Sequence, residues 1–350
     1  MSGRISGGEA EGRGVAAEGR KSQKVTMSMV GRIAGVSQVT VSRALSDPSK
    51  VSPETLQRIR AAIEQTGFVP NAIAGALASR RSMLISALVP SITNQTYSAM
   101  IHTFSETLRE AGYQILLSET GSDPEEEARA IRMHLSRRPD AMMLTGVNHS
   151  SGARRALIGA DIPVVELWDM SESPIDFCVG FSHDKAGRAV ADFAVAQGYA
   201  QAAVVYARDE RAKRRKTAFS EQFTALAGGH VTDIALEEEA SLGLGRQAMA
   251  RVLDAGRFEN GVVFCSSDVL AQGGLIEAQA RGLHVPQDVA IIGFGDQNFA
   301  ADMVPALTTV RVDRDRLGRQ AAQALLARIE GAADAVNLDL GFDLIRRASA

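Results

Sequence analysis

The 350-residue chain carries two cysteines, one tryptophan and few aromatic residues of any kind, 5% in all. Cys178 and Cys265 lie far apart with neither CxxC nor Cys/His spacing. That excludes a disulfide framework and a zinc ribbon, and it fits a reducing cytoplasm. Six histidines are scattered without a second ligand type at helical or loop spacing, so neither a metal nor a cofactor is expected. No apolar run reaches spanning length, which removes the membrane as a partner. The opening "MSGRISGGEAEGRGVAAEGR" lacks the apolar centre of a secretory signal, and residues 1–24, rich in Gly, Glu and Arg, read as a disordered tail. Enzyme signatures are missing as well: no P-loop, no GxSxG, no HExxH. The stretch "GFGDQN" (293–298) has two glycines after a strand but no third.

What remains is an ordinary globular composition, 45% hydrophobic and 23% charged, long enough for two or three domains. The formal net charge of −3 conceals an asymmetry. Residues 25–82 hold Arg32, Arg43, Lys50, Arg58, Arg60, Arg80 and Arg81 against only Asp47, Glu54 and Glu64, so the rest of the chain is acidic. A small basic module on an acidic body implies a polyanionic partner for the module alone.

Residues 26–66 read as three short helices. Thr26 is placed to cap the first, which runs to about Ile33. "AGVS" then forms a tight turn, with Gly35 free to take positive φ and Ser37 in position to cap a second helix, Gln38–Leu45. Ser52 and Pro53 open a third helix that ends near Gly67. Two helices joined by a four-residue, glycine-containing turn form the helix-turn-helix arrangement. In the second helix, Val41, Ala44 and Leu45 share one face, and Gln38, Val39, Ser42 and Arg43 share another. An isolated surface valine is common. In a major groove, however, Val39 would meet a thymine methyl and Arg43 a guanine or a phosphate, while Thr26, Ser37 and Thr40 suit backbone phosphates.

"PNAIAGALASRRS", residues 70–82, is too short and too interrupted by Gly75 to be helical alone, so it reads as a linker that orders on packing. From Met83 the pattern alternates apolar strands ("MLISALVP", "YQILLSE", "DAMMLTG", "IPVVELW", "AAVVYA", "GVVFCS", "VAIIGFG") with helical stretches such as 99–111, 125–136, 185–196 and 269–281. This is the pattern of parallel sheets covered by helices on both faces. It is too long for one sheet and suits two doubly wound lobes with a ligand cleft between them. A cytoplasmic sugar-binding protein or sugar-processing enzyme that does not bind an operator is the alternative in a different class.

The run "VTMSMVGRIAGVSQVTVSRALSDPSKVSPETLQRIRAAIEQTGFVPNAIAGALA" resembles the DNA-binding head and hinge of the lac-repressor (LacI/GalR) family of bacterial transcription regulators. "VGFSHDKAGR", "VVFCSSDVLAQGG", "GLHVPQDVAIIGFGD" and "PALTTVRVDRDRLGRQAA" are similar to that family's regulatory core, in the same order. The likeness extends over residues 25–347. Within the family, "VVELWD" and "GFGDQNFA" are most similar to the gluconate-operon repressor branch.

The resemblance implies a head at 25–69, a hinge at 70–82, and a periplasmic-binding-protein-like core at 83–350. Its first lobe would take about 83–181 plus 313–331, and its second 182–312 plus 332–348. It further implies a cytoplasmic homodimer that grips a palindromic double-stranded operator and releases it for a small effector, a sugar or sugar acid with gluconate favoured. Gln38, Val39, Ser42 and Arg43 fall at the family's base-reading and backbone positions. Leu77 falls at the hinge position that wedges the minor groove, with Asn71 and Ala74 beside it. Arg215 in "RRKTAF" matches the cleft arginine, although Ala218 replaces the usual glycine, and Tyr97, Glu166, Trp168, Asp169, Ser267 and Asp296 lie at or beside other cleft positions. Each has a plainer reading: Trp168 as core, Glu166 as a solvated strand residue, Lys213–Lys216 as a solvated helix face. Met29 stands where the family places the acid of a capping box, so that reciprocal bond is lost at a cost of up to about 1 kcal/mol. Changing Leu77 to Ala is expected to weaken binding to a specific operator while salt-driven binding to random DNA stays nearly intact. Competition titrations on the two DNAs measure this, and equal losses on both contradict a wedge.

Overall fold

The computed structural model describes residues 25–70, 81–207, 209–256, 258, 260–332 and 337–350. The chain divides at Arg80 into two compact units. The first holds helices α1 (Met27–Ala34), α2 (Gln38–Ser46) and α3 (Pro53–Thr66). All three begin on the residues that their sequence signals mark: Thr26 Oγ1 accepts from Met29 N, Ser37 Oγ from Thr40 N, and Ser52 Oγ from Thr55 N. Gly35 ends α1 at φ +69°, a conformation that costs an L side chain about 1 kcal/mol or more. Val30, Ala34, Val41, Ala44, Ile59, Ala62 and Phe68 form the small core of this unit. Leu45 does not join it. At 37% exposure it sits at the edge of the core, in the last turn of α2.

The second unit contains two lobes. The first sheet runs β11-β5-β4-β3-β1-β2 and is wholly parallel. Its strands are β1 (Leu84–Val89), β2 (Gln114–Glu119), β3 (Ala141–Thr145), β4 (Val164–Leu167), β5 (Phe177–Gly180) and β11 (Leu338–Asp339). Helices α4 (Gln95–Glu110), α5 (Pro124–Leu135), α6 (Ser151–Ala160) and α11 (Arg314–Ile329) accompany it. The second sheet runs β12-β10-β9-β8-β6-β7. It comprises β6 (Gln201–Tyr206), β7 (Val231–Ala235), β8 (Gly261–Cys265), β9 (Val289–Phe294), β10 (Thr308–Arg311) and β12 (Asp343–Ile345). Its helices are α7 (His183–Ala196), α8 (Glu210–Ala227), α9 (Leu242–Asp254) and α10 (Asp268–Ala280). Only β12 is antiparallel, paired with β10.

Each sheet is buried on both faces, which is why its strands read as continuous apolar runs. The chain passes between lobes after β5, after β10 and between β11 and β12. The segment 332–348, expected in the second lobe, is therefore divided: Leu338–Asp339 pairs with β5 in the first sheet, and only Asp343–Ile345 pairs in the second. A two-residue strand has no periodicity to reveal it. Both cysteines are buried and unpaired.

The head is small, so its stability rests on few apolar contacts. Ile59, 1% exposed, is its largest fully buried side chain. Ile59→Ala is expected to cost about 2–5 kcal/mol and to unfold the head while leaving the melting transition of residues 81–350 in place. Calorimetry together with amide exchange on α1–α3 measures both.

Candidate DNA-reading face and interlobe cleft

On α2 the residues foreseen for DNA lie together on the surface. Gln38, Val39, Ser42 and Arg43 are exposed, Val39 at 65%, while Val41 and Ala44 on the opposite side hold the helix to the head core. Ser37 and Thr40 are bonded to each other through their hydroxyls at 2.9 Å. Thr26 is exposed at the start of α1. The hinge candidates Asn71, Ala74 and Leu77, with Gly75, lie outside the described residues, as does the tail at 1–24.

Between the lobes, α8 presents Arg211, Arg214 and Arg215, spaced so that all three share one helical face. Arg211 Nη2 donates to Tyr97 Oη at 2.8 Å, from the second lobe to the first turn of α4. Arg214 Nη2 is paired with the carboxylate of Asp169, just past β4 in the first lobe. Arg215, 6% exposed, donates to His183 Nδ1 at 2.9 Å and Ser266 O at 3.2 Å, and its guanidinium lies 3.9 Å from the Phe294 ring centroid. Burial outweighs the attraction of Asp209 and brings the Arg215 pKa down to about 10. His183 is pushed well below its ordinary value, by burial first and by Arg215 next, so its ring is neutral. It therefore donates from Nε2, to Trp168 O at 2.8 Å.

Trp168 leaves β4 at φ +68° and is 4% exposed, packed edge-on against Tyr97 with ring centroids 5.9 Å apart. Its Nε1, and the Nε atoms of Arg214 and Arg215, are buried and have no hydrogen-bond partner among the described residues. Burial also raises the pKa of Asp169 against the opposing pull of Arg214. Tyr97, Trp168, Asp169 and Arg215 thus fall into one cluster. Its surplus of guanidinium groups and N–H donors suits an acceptor-rich, anionic ligand.

The other three candidates are engaged elsewhere. Glu166 is neither solvated nor directed at the cluster. Val165 and Leu167 face the core under α4 and α11, so by strand alternation Glu166 shares the opposite face with Val164. There Glu166 Oε1 stands 3.2 Å from His149 Nε2 without the alignment of a hydrogen bond, and its Oε2 accepts from Ile175 N at 2.7 Å. His149 Nδ1 in turn meets Glu127 at 3.0 Å. Ser267 caps α10. Asp296 is paired with Arg347 at 2.7 Å.

Sequence reading missed Arg211, Arg214, His183, His149 and Glu127. "RAKRRK" (211–216) looked like a solvated charge run, but only Lys213 of its basic residues is exposed. The separation of three and four between the arginines was the available signal.

Residues 26–71 match the family of bacterial regulatory proteins named for lacI, and 191–350 match a periplasmic binding protein-like domain. The chain is 36% identical over 94% of its length to the HTH-type transcriptional regulator GntR of Pseudomonas aeruginosa, of which it covers 97%. It belongs to the lacI family. A LacI-family regulator from Silicibacter pomeroyi, 30% identical, superposes with a TM-score of 0.87 over 93% of this chain and 99% of that one. The lac repressor dimer bound to operator and an anti-inducer, 24% identical, shares the fold at a TM-score of 0.82 over 93% and 99% of the two chains. As a lacI-family member the chain is a DNA-binding transcriptional regulator and not an enzyme.

The Glu127–His149–Glu166 triad makes a pH test. Burial alone would lower the His149 pKa, but its ion pairs with Glu127 and Glu166 prevail and raise it to about 9. The folded value exceeds the ordinary 6.5, so this stabilisation is complete below pH 6.5 and is lost as pH rises through about 9. Over that interval the loss reaches at most about 1.4 kcal/mol per pH unit. Denaturant midpoints between pH 6 and 10 are expected to fall for the wild type and to fall less for His149→Gln. Parallel slopes would remove His149 as the titrating group.

Proposed function

We propose that the protein is a cytoplasmic homodimeric repressor that grips a palindromic operator and lets go when a sugar acid, D-gluconate or a related hexonate, fills the interlobe cleft. The exposed Gln38–Val39–Ser42–Arg43 face of α2, held out by a separately packed head, carries this reading. Val39 contacts a thymine methyl, Arg43 a guanine or phosphate, and Thr26, Ser37 and Thr40 the flanking phosphates. Asn71, Ala74 and Leu77 supply the minor-groove contacts. In the cleft the neighbouring guanidinium groups of Arg214 and Arg215 take the ligand carboxylate, Trp168 stacks on the carbon chain, and Tyr97 and Asp169 meet the hydroxyls. Ser267 and Asp296 belong to the second lobe's rim, and Glu166 supports the turn that carries Trp168.

Two observations favour the sugar-acid class: the arginine-rich cleft and the similarity to regulators named GntR, in Pseudomonas aeruginosa and, at 34% identity, in Escherichia coli. A ligand releases DNA only by preferring a lobe arrangement that the operator complex disfavours. Fluorescence anisotropy on fragments of the source genome, with and without D-gluconate, tests both halves. Specific binding that gluconate weakens is expected, and tighter binding with gluconate would reverse the sign. Val39→Ala is expected to relax preference at one operator position by roughly 1 kcal/mol, and an unchanged binding-site profile would show that Val39 reads no base.

A further inference from the structure

Helix α8 reaches the first lobe by three routes: Arg211 to Tyr97 Oη, Arg214 to the Asp169 carboxylate, and Arg215 through His183 to Trp168 O. They differ in kind. The first ends on a phenol and the third on a neutral imidazole and a backbone carbonyl, but the second ends on a carboxylate that is itself 1% exposed. Among the described residues Asp169 has two bonding partners, Arg214 and the N–H of Met170 at 2.8 Å. This carboxylate comes from the residue adjoining Trp168, whose indole N–H is buried and has no partner among the described residues. The arginine face thus holds an internal anion at the place where a ligand carboxylate would bind.

We propose that Asp169 stands in for the ligand's carboxylate in the unliganded cleft. Only an anionic ligand can then replace it on Arg214, and each binding event breaks an ionic tie between the lobes. The inference rests on the sugar-acid reading above and adds two elements to it: a residue that sets specificity and a way for ligand charge to reach lobe geometry. A neutral sugar offers hydroxyls alone. It cannot compensate a guanidinium whose buried acid has been displaced, because both charges would be left unpaired, a penalty that new hydrogen bonds to sugar hydroxyls do not offset. A carboxylate replaces one charge-assisted bond with another, and the displaced Asp169 can turn to the ligand's hydroxyls or to water.

The single tryptophan makes the test direct, since all indole emission comes from Trp168. The full-length protein and Asp169→Asn, which keeps the shape and removes the charge, are compared in two ways. Without ligand, acrylamide quenching of Trp168 is expected to rise in Asp169→Asn, because the tie that closes the lobes over it is weakened. Titration with D-gluconate and with D-glucose, followed by Trp168 emission, is expected to show gluconate binding roughly tenfold tighter in the variant, with no matching increase for glucose. Unchanged quenching would mean that Asp169 ties nothing across the cleft, and gluconate binding weakened in the variant would mean that Asp169 is a ligand contact and not its competitor. Either result overturns the proposal. A wild-type protein that ignores gluconate refutes the sugar-acid reading instead, while the quenching comparison still decides the tie. Arg214→Gln serves as a second variant: it leaves Asp169 without its cation, and it is expected to lose gluconate response while keeping the far-ultraviolet dichroism of the wild type.

Discussion

A guanidinium withdrawn from water must be given acceptors, and the core is arranged around meeting that need for Arg215. At 6% exposure its hydrogen-bond partners among the described residues include no carboxylate. One of its acceptors is His183 Nδ1, which can accept only while the ring is neutral. Burial and the proximity of Arg215 keep it so. With Nδ1 accepting, Nε2 must carry the proton and needs its own acceptor, which is Trp168 O. The left-handed turn at Trp168 places that carbonyl and directs the next residue, Asp169, toward Arg214. A single desolvation problem therefore fixes a tautomer, a backbone conformation and an ion pair between lobes.

Close backbone packing makes these contacts possible. A Cβ at Gly187 in α7 would stand 2.3 Å from Arg215 O, so α7 and α8 touch backbone to backbone one turn beyond His183. Likewise a Cβ at Gly180, the last residue of β5, would come within 2.4 Å of Asp169 N and O. Both neighbours are main-chain atoms that cannot move aside, and interiors packed to crystal density offer no slack to absorb the shift. The glycines therefore determine how near the helix and the strand end may come, and through that distance whether the arginines reach the opposite lobe.

Much of this was legible in the amino-acid sequence because it is encoded locally. Caps at Thr26, Ser37 and Ser52 and the turn at Gly35 mark the head's helices residue by residue. Seven apolar strands announce two sheets, since parallel strands buried on both faces have nothing polar to interrupt them. What escaped depends on which way a side chain points in the assembled protein. Glu166 lies two residues before Trp168, and alternation alone would put both on one face; the strand ends at Leu167, the left-handed turn at Trp168 breaks the alternation, and Glu166 stays on the face where it meets His149, which in turn meets Glu127. Arg211 and Arg214 sit beside lysines in a run that composition alone describes as surface, and only Arg215 was marked, by the resemblance. Only knowledge of what α8 packs against separates the buried stripe from the solvated one.

The division of labour between the two units sets a limit on how any ligand can act. A ligand moves an equilibrium only by its difference in affinity for the two states, and moving a population from one in a hundred to ninety-nine in a hundred takes about 5.5 kcal/mol of that difference. Contacts within a single lobe contribute none of it, because they persist whichever way the lobes sit. The Glu127–His149–Glu166 triad, confined to the first lobe, is of this indifferent kind. The contacts of Arg211 and Arg214 with Tyr97 and Asp169 differ, since each ends on the other lobe and is lost or remade when the lobes move. A charge-assisted bond to a buried carboxylate such as Asp169 is among the few single contacts large enough to supply a useful share of the required difference. On the sugar-acid reading proposed above, α8 gives the effector its leverage through what a ligand carboxylate does to the pair between Arg214 and Asp169.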